Sequence, residues 1–354
     1  MAGGGGTRLW PLSRKERPKQ VLDLFGGKSL FQHAVDRIGP LFPLERILIV
    51  TNEMYAAQLR ELCPQFTDEN FLLEPEPRGT APAIGLAAEY LHAIAPGSTM
   101  AVLTADHYIG NEGKFREYLE AGYHLAENEY LVTLGIHPDY PAMQYGYIQQ
   151  GKKIEGDMSF PAFEVDRFKE KPKLTEATEF LDAGTFTWNS GMFIWKVDRL
   201  RSEFASQMAD TSTKLTKVLS GNGKESGLTV NRDAWRTIQS ETIDYGIMER
   251  AQNTVVIPVE ELEWNDVGSW NSLFEVLESD ESGNVILADQ RLNFDAKDIL
   301  VNTTGQKKLA VSVGVENLVV VDTGDVLLIC SKERAQDIRQ IVQLLKDKGL
   351  ERFL

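Results

Sequence analysis

Short β-rich runs alternate with helical patterns over the first two thirds of this 354-residue chain. That alternation restricts the fold to an α/β sheet covered by helices on both faces. Arg46–Thr51 reads as a buried strand, and Asn52 is placed to cap a helix over Glu53–Leu62. Asn70–Leu73, Thr99–Thr104 and Tyr130–Gly135 read as further strands, with helices over Ala81–Ala95 and Lys114–Glu127 between them. Ala162–Lys169, Thr187–Lys196 and Asn253–Val259 extend the strand set. The expected sheet is mixed and mostly parallel.

After about Ser279 the pattern changes. Val285–Ala288, Ile299–Asn302, Leu309–Val313, Leu318–Asp322 and Val326–Cys330 are short β-rich pieces at close spacing, separated by turns with Gly or Asn. A helix over about Glu333–Lys348 follows. The polar stretch Glu278 to Gly283 marks the boundary, so the expected units are residues 1–278 and 279–354.

The net charge of −15 disfavours a nucleic-acid partner. The charge is unevenly spread, however. Residues 1–19 carry Arg8, Arg14, Lys15, Arg17 and Lys19 against Glu16 alone. A cationic segment in an acidic protein fits a focused site for a small polyanion. Two cysteines, Cys63 and Cys330, make no disulfide framework and fit a reducing, cytoplasmic setting. No apolar run approaches the ~20 residues of a membrane span, and no signal-peptide pattern opens the chain.

The cationic segment is also glycine-rich: Gly3-Gly4-Gly5-Gly6-Thr7-Arg8-Leu9-Trp10-Pro11-Leu12-Ser13. Glycines let backbone N–H groups converge on an anion, and Arg8 adds a charged fork matched to phosphate oxygens. The dinucleotide fingerprint does not fit, because Leu9 stands where its third glycine belongs. The run Phe25-Gly26-Gly27-Lys28-Ser29 is no P-loop either, because Leu22 occupies the position of the first glycine. It reads instead as a turn with Ser29 capping a helix over Leu30–Ile38.

The stretch from Ala2 to Lys19 resembles the signature of the sugar-nucleotide pyrophosphorylases, in the form found in their mannose-1-phosphate guanylyltransferase branch. Further segments resemble that branch in the family's order. They are Arg78-Gly79-Thr80-Ala81-Pro82 (asparagine often replaces Gly79 there), Thr104-Ala105-Asp106-His107, Tyr145-Gly146-Tyr147-Ile148, Phe168-Lys169-Glu170-Lys171-Pro172, Trp188-Asn189-Ser190-Gly191 and Trp264-Asn265-Asp266-Val267-Gly268.

The resemblance implies a glycosyltransferase-A-like catalytic domain with a small C-terminal left-handed β-helix. It implies transfer of GMP from GTP to mannose 1-phosphate, with Mg²⁺ held by Asp106 and Asp266. Arg8 and Lys19 are expected at the triphosphate. Gly4, Gly6 and Thr7 are expected in its backbone cradle, and Arg78 and Thr80 near the base or ribose. Gly146, Glu170 and Asn189 are expected at the sugar, and Lys171 at its phosphate. Trp188, Trp264 and Trp270 are expected to pack. A homodimer is expected by analogy.

The chemistry suits these residue types. A phosphate monoester is largely dianionic near neutral pH, its second pKa lying near ~6. The site therefore needs positioning and charge stabilisation more than a strong base. The same chemistry on another nucleotide or hexose 1-phosphate is the near alternative; a non-catalytic sugar-nucleotide-binding protein is the distant one. The family carries a hydrophobic strand before the glycine loop, and here only Met1 and Ala2 precede it. Met1 is therefore expected to be internal to a longer chain. The length leaves no room for the isomerase domain that longer relatives append, so a bifunctional enzyme is not expected.

Overall fold

The computed structural model describes residues 1–4, 6–156, 158–220, 229–303 and 305–354. Gly5 of the glycine loop thus lies outside the described residues.

The main elements in chain order are α1 (Leu30–Ile38), β1 (Ile49–Asn52), α2 (Glu53–Leu62), β2 (Phe71–Glu74), α3 (Thr80–Ile94), β3 (Thr99–Val102), α4 (Glu112–Ala126), β4 (Leu131–Ile136), β5 (Tyr147–Lys153), β6 (Phe163–Lys169), α5 (Leu174–Ala183), β7 (Phe186–Lys196), α6 (Val197–Gln207), α7 (Ala209–Val218), β8 (Thr254–Val259) and α8 (Trp270–Val276). There follow β9 (Val285–Leu287), β10 (Gln290–Phe294), β11 (Leu300–Asn302), β12 (Leu309–Val313), β13 (Leu318–Asp322), β14 (Leu327–Ser331) and α9 (Ile338–Asp347).

Local cap chemistry sets several boundaries. Ser29 and Gln32 form a reciprocal capping box that starts α1, and the Asn52 side chain accepts from the Tyr55 N–H at 2.9 Å to start α2.

The central sheet has the order β3-β7-β4-β8-β6-β5. Only β4 and β8 pair in parallel; β7 runs antiparallel to β3, β4 and β5, and β6 antiparallel to β8 and β5. This corrects the expectation of a mostly parallel sheet. Four strands share one direction, but the two reversed strands interleave with them and make most pairings antiparallel. Among its described residues the link between β5 and β6 contains no helix, and the chain returns as an antiparallel neighbour. Strands β1 and β2 form a separate parallel pair.

Met1 and Ala2 bridge β1 to the segment after β3. The Ala2 N–H donates to Val50 O at 2.9 Å, the Met1 ammonium to Leu103 O at 2.7 Å, and the Ala105 N–H to Met1 O at 3.1 Å.

One core packs α3, α6 and α7 against one face of the sheet through Ile84, Leu86, Leu200, Phe204, Leu215 and Trp195. A second packs α4 and α5 against it through Phe115, Leu119, Phe180, Trp188 and Ile194. In the C-terminal region β9, β11 and β13 stack in parallel, as do β10 and β12, giving a β-helix-like unit that antiparallel β14 closes. A third core joins this unit to the chain start, bringing Leu9, Trp10 and Leu12 together with Trp270, Val285, Leu300, Val319, Ile338 and Val342.

No helix among the described residues is long and apolar enough to cross a membrane.

Candidate active site

Asp106 lies just beyond β3 and Asp266 just before α8, far apart in sequence. Lys19 brings them together. Its ammonium donates to Asp106 Oδ2 at 3.0 Å and to the backbone carbonyl of Asp266. The Lys19 side chain is nearly buried, 7% exposed, against 36% for that of Asp106. Burial pushes the Asp106 carboxyl up, but the surrounding positive groups, Lys19 foremost, together outweigh that and hold it at about 2.

Gly6 is the floor under Lys19. A Cβ on Gly6 would lie 2.3 Å from Lys19 Cβ, and the residue has φ of 58°, so glycine is required there twice over. Ser13 Oγ donates to Gly6 O at 2.6 Å and fixes the turn.

The carboxylate of Asp266 is aimed by its neighbours. Oδ1 accepts from the Tyr145 hydroxyl at 2.9 Å and from the Gly268 N–H at 3.0 Å. His107 lies beside them. Burial pushes its imidazole down to about 4, so it is neutral at neutral pH. Trp264 Nε1 donates to its Nδ1 at 3.2 Å, which puts the ring proton on Nε2.

Tyr145 is followed by Gly146, and here a second cluster begins. Gly146 O accepts from the Asn189 N–H at 2.8 Å. A Cβ on Gly146 would fall 2.5 Å from Glu170 Oε2 and 3.3 Å from Asn189 Cβ. Glu170 is buried, its carboxylate pairs with the Lys171 ammonium, and its N–H donates to Glu249 Oε1 at 3.3 Å. Asn189 stands at an irregularity in β7, where Gly191 with φ of 70° bends the strand. Its Nδ2 donates to Asp244 Oδ1 at 2.8 Å. Burial and the nearby Glu170 charge raise the Asp244 carboxyl to about 6.

The Arg78–Thr80 loop reaches this cluster through backbone and the Thr80 hydroxyl. The Glu241 N–H donates to Arg78 O at 3.0 Å, the Ala81 N–H to Glu241 O at 3.1 Å, and the Ile243 N–H to Thr80 Oγ1 at 2.9 Å. Gly79 has φ of 86°, and a Cβ there would lie 2.3 Å from Glu241 O. Arg78 itself pairs with Glu76 at 2.5 Å.

The structure therefore joins Gly6, Lys19, Asp106 and Asp266 in one group and Gly146, Glu170, Lys171 and Asn189 in another, linked by Tyr145. Arg78 and Thr80 border the second. Gly4 has open space around it, and Thr7 is exposed. Arg8 is half-buried and makes no hydrogen bond or ion pair with the described residues.

Sequence reasoning passed over Tyr145, although it quoted the segment containing it, and it passed over Asp244. The available signal for Asp244 was a single carboxylate set in an otherwise apolar run. That run, Asp244–Met248, folds as one turn of π-helix, a form frequent at functional sites. Trp264 was expected only to pack, and it also orients His107. Trp188 and Trp270 are buried.

Residues 1–283 match the nucleotidyl transferase family model, and residues 289–345 match the mannose-phosphate isomerase/GMP-like β-helix domain. The mannose-1-phosphate guanylyltransferase of Klebsiella pneumoniae is 37% identical over 98% of this chain and 73% of its own length. The Escherichia coli K12 relative of the same name is 38% identical over 99% of this chain and 73% of its own.

This chain belongs to the mannose-1-phosphate guanylyltransferase family.

As a member of that family it is a nucleotidyltransferase. A Thermus thermophilus protein, described as a mannose-1-phosphate geranyltransferase, has a crystal structure that superposes with a TM-score of 0.85. That match has 32% identity and covers 98% of both chains. The α/β domain and β-helix-like unit expected for the family are both present.

Proposed function

We propose that the site transfers GMP from GTP to α-D-mannose 1-phosphate, releasing pyrophosphate and forming GDP-mannose. The observation that carries this reading is the Lys19 bridge. A nearly buried cation joins two distant aspartates beside a glycine loop, and Tyr145 links them to the polar cluster of Gly146, Glu170 and Asn189.

In the proposed reaction an oxygen of the sugar phosphate attacks the α-phosphorus of GTP in line. The new P–O bond forms as the bond to the β-phosphate's bridging oxygen breaks, and the electron pair leaves with pyrophosphate. Lys19 and Arg8 stabilise the leaving charge. The open backbone at Gly4 and Gly6, with Thr7, cradles the phosphates. Arg78 and Thr80 border the nucleoside. Glu170 and Asn189 hold the sugar hydroxyls, Gly146 lets the ring approach, and Lys171 faces the sugar phosphate.

Asp106 and Asp266 suit Mg²⁺. Their donors are hard oxygens, and Asp106 Oδ1 and Asp266 Oδ2 have no hydrogen-bond donor among the described residues. Among the described residues no three His, Cys, Asp or Glu side chains converge so as to hold a metal ion by themselves. That fits an ion which takes one or two carboxylates and fills its shell with water and substrate phosphates. When bound, the ion would neutralise phosphate charge and favour departure of pyrophosphate.

We place the boundary between catalytic and β-helix-like units at 278/279 and the protein in the cytoplasm, in keeping with two free cysteines. We also propose a homodimer. The paired Leu292 and Val311, and Phe294 and Val313, present an exposed apolar ladder on β10 and β12. Light scattering at working concentration tests this, and a monomer would overturn it.

The test of function is pyrophosphate release from GTP and mannose 1-phosphate with Mg²⁺, beside ATP, UTP and glucose 1-phosphate. Release with GTP and mannose 1-phosphate alone is expected. Preference for another pair would overturn the substrate assignment. GDP-mannose binding without turnover would make the protein a binder.

A further inference from the structure

The first turn of α9 is fixed beside the glycine loop by contacts unrelated to charge. Ile338 and Val342 are buried in one core with Leu9, Trp10 and Leu12. Trp10 Nε1 donates to Phe353 O at 2.6 Å, and Trp270 Nε1 donates to Trp10 O at 3.1 Å. Arg339 follows Ile338 and is exposed.

Arg8 stands on the 3₁₀ turn Thr7–Leu9, the segment against which α9 packs. Neither the Arg8 nor the Arg339 side chain has a hydrogen bond, ion pair or ring contact among the described residues. Partial desolvation at its base, and after it the charge of Arg8, holds the largely exposed Arg339 guanidinium below its ordinary range. Two guanidinium groups on segments that pack against each other, with no carboxylate paired to either among the described residues, form an incomplete arrangement. An anion with several oxygens completes it, because each guanidinium presents a planar fork matched to phosphate oxygens. The contrast with Arg14 is informative: it lies on the same loop, and Asp325 neutralises it.

We infer that Arg8 and Arg339 form one phosphate site built from both ends of the chain, and that it receives the pyrophosphate portion of the nucleotide. This rests on the reading of Arg8 as a triphosphate ligand. It makes the C-terminal helix part of the substrate site, with Arg339 a binding residue for the leaving group.

The test uses the full chain, with kinetics in the direction of GDP-mannose synthesis and in the reverse direction with pyrophosphate. Arg339→Ala raises KM for GTP and for pyrophosphate by about 10-fold to 100-fold, the range of a charged hydrogen bond. KM for mannose 1-phosphate stays unchanged, and Arg339→Lys restores part of the loss. Arg339→Glu pairs with Arg8 internally, so Tm holds or rises while pyrophosphate affinity is lost. Unchanged KM for pyrophosphate in Arg339→Ala would overturn the inference. So would an equal loss for both substrates, or a loss accompanied by a lowered Tm in all three variants.

If the wild-type chain does not turn over GTP, the proposed function fails first. Calorimetric titration of pyrophosphate into wild type and Arg339→Ala then reads the anion site by itself. Weaker binding in the variant supports the inference, and equal or absent binding overturns it.

Discussion

Arg14 and Asp325 grip each other with both ends of their charged groups. Nη1 meets Oδ2 at 2.6 Å and Nη2 meets Oδ1 at 2.7 Å, while Nη2 also reaches Thr323 Oγ1 at 2.9 Å. The pair pins the basic stretch after the glycine loop to the turn between β13 and β14. Because the side chains are 20% and 49% exposed, its share of global stability is small, about 0.5–1 kcal/mol. Its larger effect is on the loop. Arg14→Ala and Asp325→Ala are expected to lower kcat/KM for GTP severalfold, and the double variant no further than either single one. Strictly additive losses in a double-mutant cycle would show that the pair does not act as a unit.

Lys19 holds Asp106 and the backbone at Asp266 with one ammonium. Lys19→Met keeps the length and removes the charge. Turnover is expected to fall by about 10²–10³-fold, as when one preorganised donor to transition-state charge is lost. Circular dichroism should remain native. Near-normal kcat in this variant would remove Lys19 from the reaction.

Asp244 links pH to stability with a definite sign. Its carboxyl is raised from 3.8 to about 6 in the folded protein, by burial and by Glu170. Between those values the unfolded chain releases its proton while the folded chain keeps it, so stability falls as pH rises through this window and then levels off. Asp244→Asn removes that loss. It should stabilise the protein above pH 6 by on the order of 1–2 kcal/mol, discounted for partial exposure. Sugar binding should be largely kept, since the amide oxygen of the variant still accepts from Asn189 Nδ2. Denaturant melts at pH 4 and pH 7.5 check the sign, and a larger gain at pH 4 would refute it.

Gly6 and Gly4 should separate conformation from contact. Gly6→Ala places a Cβ 2.3 Å from Lys19 Cβ at a φ of 58°, and is expected to cost about 1–3 kcal/mol. Gly4→Ala meets nothing within 4 Å, so Tm should hold and any loss should appear in GTP affinity alone. Equal Tm shifts in the two variants would contradict this.

What the string of residues made legible was whatever depends on neighbours in the chain. The helices over Leu30–Ile38 and Glu53–Leu62 start where Ser29 and Asn52 cap them. Leu309–Val313 and Leu318–Asp322 alternate buried and less buried residues, as β-helix strands do. Strand β10 escaped notice because Leu292 and Phe294 point outward with its polar residues and give no inward apolar face. The direction of β7 was hidden as well, since it depends on partners on both sides that are remote in the chain. The glycine loop, Asp106 and Asp266 stood out in the sequence by motif alone. The Lys19 bridge, the Tyr145 link and the Asn189–Asp244 bond arise only when distant segments meet.

The tight fit of Gly79 against Glu241 bears on how such enzymes are recombined. The loop proposed to border the nucleoside and the strip leading to Asp244 are stitched together without space for a Cβ. A loop taken from a relative with asparagine at this position needs that donor's counterpart of residues 241–243 as well. Chimeras that exchange either piece alone should misfold locally. Attempts to retune base preference by grafting will therefore succeed only when both stretches are transplanted together, as a single inheritable unit split across the gene.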